Sequence, residues 1–152
     1  MDEADDTSAC FLWGDTPSQY ADFFIGKGRT HLISKGEMED KISRALTQWE
    51  KEYLGRGPVS VKTDIVRNMV IVLLRGILTP AERKLSNNLD GMLSIKKIRS
   101  DLVESGNPEL KALLAELTGS EVVSFHTDIS TRTGERVILF MMADNLEERL
   151  EA

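Results

Sequence analysis

The chain has little of what disulfide, metal and membrane chemistry require. One cysteine, Cys10, stands among its 152 residues, so no disulfide can close within the chain. Histidine is nearly as scarce. His31 and His126 are the two, and with Cys10 they are too few for a zinc site built by a single chain, so no metal and no other cofactor is expected. No apolar run approaches the roughly 20 residues a spanning helix needs, which argues against direct membrane insertion. The first residues include Asp2, Glu3, Asp5 and Asp6, where an export signal would be basic and then apolar, so a cytoplasmic location is expected, at most peripheral to a membrane. Clustered basic charge is missing too. The net charge is −6, and the densest basic stretch is Lys96-Lys97-Ile98-Arg99. Sequence-independent binding to phosphate backbones therefore lacks its driving force, and no nucleic-acid partner is expected.

What remains is the composition of one ordinary globular domain, 41% hydrophobic and 29% charged. Residues 1–33 show no sustained period and carry six acids against two bases. They are expected to form an N-terminal extension, partly disordered. Two apolar clusters in it, Phe11-Leu12-Trp13 and Phe23-Phe24-Ile25, are candidate anchors on a partner, because such clusters gain little unless buried. The domain proper is expected over 34–144, followed by an acidic tail, 145–152, that adds a helical turn or frays.

Periodicity sets the order of elements. Ser34 with Glu37 reads as a capping box, and Met38, Ile42, Leu46, Trp49 and Tyr53 then recur at helical spacing, leaving Glu39, Lys41, Arg44, Glu50 and Lys51 outward. Gly55, Gly57 and Pro58 stop that helix. A hairpin follows. Val59, Val61, Thr63 and Ile65 alternate with Ser60, Lys62 and Asp64, Arg67-Asn68 turns the chain, and Met69 to Leu74 return as an apolar run. Thr79-Pro80-Ala81-Glu82 opens a second helix with a cap, a first-position proline and a capping glutamate. Leu85, Leu89, Met92, Ile95, Ile98 and Leu102 are its expected stripe, and Asn87-Asn88 with Gly91 are expected to break it into a short helix and a longer one from about Asp90. Asn107-Pro108 opens a further helix that Gly119 closes. In the second hairpin Val123, Phe125, Thr127 and Ile129 share one strand face, Ser124, His126, Asp128 and Ser130 the other, and Val137 to Met142 return.

The two helix-and-hairpin units correspond. Leu46, Trp49, Tyr53, Gly55, Thr63, Asp64 and Ile65 match Leu110, Leu113, Leu117, Gly119, Thr127, Asp128 and Ile129 at a constant offset of 64. The return strands align at an offset of 68, which makes the second turn four residues longer. Two such units predict an α+β two-layer sandwich, a four-stranded antiparallel sheet with helices on one face and a pseudo-twofold axis relating the halves.

Four residues are the binding candidates. Asp64 and Asp128 occupy equivalent strand positions, and a close carboxylate pair would separate its pKa values and attract a cation. His126 shares a strand face with Asp128, which could orient the imidazole. Arg56 lies in the Gly55-to-Pro58 turn and offers a planar fork to an anion or a partner's carboxylate. Beside His126 the only candidate nucleophiles are Ser124 and Ser130, both too generic to define one, so no catalytic residue is expected and the chain is read as a non-enzyme. The alternative reading is a small-molecule or ion-binding sensor whose site gathers Asp64, His126, Asp128 and Arg56 where the two Thr-Asp-Ile segments meet.

Three segments carry a resemblance: Glu50 to Pro58 (Glu-Lys-Glu-Tyr-Leu-Gly-Arg-Gly-Pro), Leu78-Thr79-Pro80-Ala81-Glu82, and His126 to Thr131 with Thr133 to Arg136. Over about 34–144 the chain resembles the MpsC-like family, named for a component of a sodium-translocating, membrane-potential-generating system. The resemblance implies a small accessory protein of a membrane system that moves cations and supports inorganic-carbon uptake. Its expected partners are proteins, membrane transport subunits among them, and a homo-oligomer is expected. It implies no active site.

Overall fold

The computed structural model describes residues 32–151; the expected anchors at Phe11 to Trp13 and Phe23 to Ile25 lie outside them. The first helix, α1 (Lys35–Tyr53), begins as a capping box in which the Ser34 hydroxyl accepts from the Glu37 amide and Glu37 accepts from the Ser34 amide at 2.8 Å. The hairpin β1 (Ser60–Val66) and β2 (Met69–Arg75) follows. Thr79 caps α2 (Pro80–Leu85) in the same way as Ser34. Next come α3 (Leu89–Ser105), α4 (Asn107–Thr118), β3 (Val122–Ser130), β4 (Glu135–Met142) and a short helix over the acidic end, α5 (Leu146–Glu151).

The helix break after Leu85 has a local cause. Asn88 caps α3 through its side chain, and a Cβ at Gly91 would lie 1.8 Å from the Leu85 carbonyl oxygen. Only glycine lets the end of α2 approach α3 so closely. The junction is therefore written in the sequence as Asn-Asn-Leu-Asp-Gly.

All strands are antiparallel, in the order β1-β2-β4-β3. Burial alternates along each strand, and every fully buried strand position lies on the face that the helices cover: Thr63 and Ile65, Val70, Val72 and Leu74, Arg136, Ile138, Phe140 and Met142, and Ile129. Against these pack Met38, Ile42, Leu46 and Trp49 of α1 and Leu110 and Leu114 of α4. This is the two-layer sandwich that the pattern predicts.

The repeat is present, with one correction. Gly55 and Gly119 both end their helices with positive φ, 77° and 66°, the left-handed conformation that glycine adopts without strain. Leu46 and Leu110, and Ile65 and Ile129, are buried alike. The return strands are offset by 66, not 68: Val66 pairs with Met69 across a two-residue turn, Ser130 with Glu135 across four. The second turn is thus two residues longer. An apolar run without alternation carries no register of its own, so only the pairing fixes it.

Three local expectations also change. Glu50, which the spacing of α1 places outward, is 2% exposed. Leu85, Leu89, Ile98 and Leu102, expected as a core stripe, are exposed, and α3 buries Ile95 and Val103 instead. α3 lies along the edge near β3 and touches the core with a narrow arc. Val123 is turned outward by a register shift between Val122 and Ser124, which puts Val122 into the core.

Candidate functional site

The face of the sheet that no described helix covers gathers three of the four candidates, Asp64, His126 and Asp128. Cross-strand register arranges it in rows. Lys62, Leu73, Val137 and Asp128 form one row, Asp64, Ile71, Leu139 and His126 the next, Val66, Met69, Met141 and Ser124 a third. At the opposite end stand Ser60, Arg75, Glu135 and Ser130. The two central strands therefore present Met69, Ile71, Leu73, Val137, Leu139 and Met141 to the outside, half-buried by one another, with Val137 44% exposed. Polar and charged side chains, with Val66 as the exception, occupy the two edges. A sheet face left open in an antiparallel fold is usually polar, and here its centre is as apolar as its covered side.

Asp64 and Asp128 lie on this face at opposite edges, on β1 and β3, with β2 and β4 between them. Three strand spacings, about 14 Å across the sheet, and one row, about 7 Å along it, separate them. Each has its own cation. Lys62 Nζ is 3.3 Å from Asp64 Oδ1, and Lys96 Nζ of α3 is 3.3 Å from Asp128 Oδ1. The Ile129 amide, ahead of Lys96, holds the Asp128 carboxyl below its ordinary range. His126 stands across the row from Asp64 and shares a 3.2 Å hydrogen bond with Ser124 Oγ. Arg56 is exposed in the turn after α1, away from the sheet rows. The structure thus keeps the two Thr-Asp-Ile segments apart and brings the four candidates to no common pocket. Among the described residues no group of three or more His, Cys, Asp or Glu is placed to hold a metal ion. One polar hollow, between the end of α2 and the β3–β4 turn, is lined by Arg83, Ser86, Asn87, Met92, Thr131 and Arg132 and contains none of the four.

A second charged cluster lies in the core, on the helix side. Arg136 is 1% exposed; its Nη1 donates to Thr127 Oγ1 at 3.1 Å and its Nη2 to the Arg99 carbonyl at 2.9 Å, while Nε has no partner. Glu50 lies near it with Oε1 unpaired. Burial pushes the Glu50 carboxyl up, against the pull of Arg136 and then Arg99. Burial likewise lowers the Arg136 guanidinium, which Glu50 opposes. Arg99 in turn holds Glu82 through two hydrogen bonds, 2.9 and 2.7 Å. Buried this deeply, Glu50 and Arg136 join α1, α3 and β4 and are closed to a substrate. The repeat carried a signal for them: Glu50 is equivalent to Leu114 and, at the corrected offset, Arg136 to Val70, and both counterparts are fully buried.

The family model described as "Na+-translocating membrane potential-generating system (MpsC)" matches residues 34–144. The chain is 59% identical over 118 residues to the uncharacterised protein YbcI of Bacillus subtilis (strain 168), covering 78% of this chain and 95% of that one. It is 26% identical over 103 residues to the uncharacterised protein YrhF of the same organism, covering 67% and 84%. No solved structure matches the chain.

Proposed function

The chain belongs to the MpsC family, and from that premise we propose that it serves a cation-translocating, inorganic-carbon-uptake membrane system as an accessory protein, acting by protein contact and without catalysis. No helix among the described residues is long and apolar enough to cross a membrane, so a role beside the membrane subunits fits it better than a role among them. One observation carries the reading. The centre of the open sheet face is a continuous apolar strip, Met69, Ile71 and Leu73 beside Val137, Leu139 and Met141, that no element among the described residues covers. Leaving such a strip in water forgoes about 25 cal/mol for each Å². Exposed apolar patches rimmed by polar residues are the usual mark of a contact surface.

The sensor reading fits less well. A cation or small molecule held by Asp64, His126 and Asp128 together would have to bridge from one edge strand to the other, and Lys62 and Lys96 already neutralise the two carboxylates. The test is affinity capture of the tagged full chain from gently solubilised cells, beside Val137→Glu. Recovery of membrane transport subunits by the native protein and their loss from the folded variant is the expected result. Equal recovery by both would remove the open face from the function, and recovery of none would remove the accessory role.

A further inference from the structure

We infer that the open sheet face binds the same face of a second copy of this chain, through a twofold axis that runs along the strands. The inference rests on the reading of that face as a contact surface and names its occupant. An axis along the strands, between two facing sheets, sets β1 of one copy over β3 of the other and β2 over β4, with every row above itself. Lys62 then lies over the partner copy's Asp128, Asp64 over its His126, and Arg75 over its Glu135. Leu73 meets Val137, Ile71 meets Leu139, and Met69 meets Met141, apolar on apolar in each row. Arg75 and Glu135 already pair within one chain at 3.1 Å, so their crossing makes a ring of four alternating charges.

Other occupants and geometries fit worse. A twofold axis across the strands would reverse the rows and press Arg75 and Glu135 onto Met69 and Met141, burying charge against apolar side chains. An anionic lipid surface would meet Asp64, Asp128 and Glu135 beside Lys62 and Arg75, with none of the basic excess for which such surfaces select. Pairing of β1 along its free edge is obstructed, because the Ile65 amide donates to Glu39 at 2.9 Å and the Arg67 amide to Glu147 at 2.8 Å. Face-to-face packing of two such sheets within about 30° of alignment is the ordinary sandwich arrangement. The dimer would leave α3, with exposed Leu89, Leu93, Ile98 and Leu102, free for another protein.

Sedimentation of the full chain tests this. A mass twice that of the 17.0 kDa chain is expected, and Val137→Glu, at a position open enough to take a carboxylate in the monomer, should halve it with circular dichroism unchanged. Arg75→Glu should weaken the dimer at least about tenfold, through like charges facing each other, and Arg75→Glu with Glu135→Arg, which keeps both the intrachain pair and its crossing, should return it to within about threefold of native. A chain that stays monomeric throughout the micromolar range, a dimer indifferent to Val137→Glu, or a charge exchange that restores nothing would overturn the inference. The two readings part clearly. A monomer whose Val137→Glu variant loses captured membrane subunits gives the face to another protein and leaves the proposed function standing. A dimer that captures none keeps the interface and discards that function.

Discussion

Val72 and Ile138 face each other across the centre of the sheet and are also equivalent positions of the two helix-and-hairpin units. The pseudo-twofold axis passes between them, and both are buried, 0% and 1% exposed. Equivalence breaks where Glu50 and Arg136 replace the apolar Leu114 and Val70 of the other half.

That break makes a prediction about stability. Glu50→Leu leaves Arg136 buried without its countercharge and should cost about 3–5 kcal/mol, as should Arg136→Met for the converse reason. Glu50→Leu with Arg136→Met restores an apolar core and should cost less than either single change. Urea unfolding of the four proteins gives the coupling directly.

The order of elements was legible because each boundary has a local chemical cause: Ser34 and Thr79 as capping boxes, Gly55 and Gly119 as helix stops, Gly91 at the α2–α3 junction. Burial was legible only where period and polarity agree. Glu50 escaped because a charged residue beside Trp49 reads as outward, although its equivalent Leu114 shows the position to be inside. The exposure of Leu89 and Ile98 escaped for the opposite reason, since spacing along one helix does not say how much of its surface a neighbour covers. Alternation along β1 and β3 sets Asp64, His126 and Asp128 on one face of the sheet, but the distance between Asp64 and Asp128 depends on strand order, which period cannot give.

Acid stability should have two opposed components. Burial raises the Glu82 carboxyl, but the Arg99 hydrogen bond and the Thr79 amide and hydroxyl outweigh it and bring it from 4.5 to about 2. With its folded pKa below the unfolded one, Glu82 contributes stability that is complete above about 4.5 and is lost as pH falls toward 2. Glu50, raised by burial, acts the other way: its contribution is complete below 4.5 and is lost as pH rises through its folded pKa. Glu82→Gln should therefore flatten the loss of stability below pH 4.5, and Glu50→Gln should flatten the loss above it, each read from thermal unfolding across pH.

Two glycines should respond in opposite directions. A methyl group at Gly91 meets the Leu85 carbonyl at 1.8 Å, so Gly91→Ala must push α2 from α3 and should cost about 1–3 kcal/mol. Gly36, in the first turn of α1, has nothing within 4 Å of an added Cβ, and Gly36→Ala should stabilise by about 0.5–1 kcal/mol. Denaturant midpoints of the two variants compare them.

The claim that the open face is a covered contact surface has its most direct test in methionine oxidation. Met69 and Met141 lie side by side on that face, Met92 is half-buried on α3, and Met38 and Met142 are in the core. The full chain, exposed to dilute peroxide and read by mass spectrometry, should show Met69 and Met141 protected nearly as well as Met38 and Met142 and oxidised much more slowly than Met92, with the protection lost in Val137→Glu. Oxidation of Met69 and Met141 at the rate of Met92 in the native protein would contradict the account.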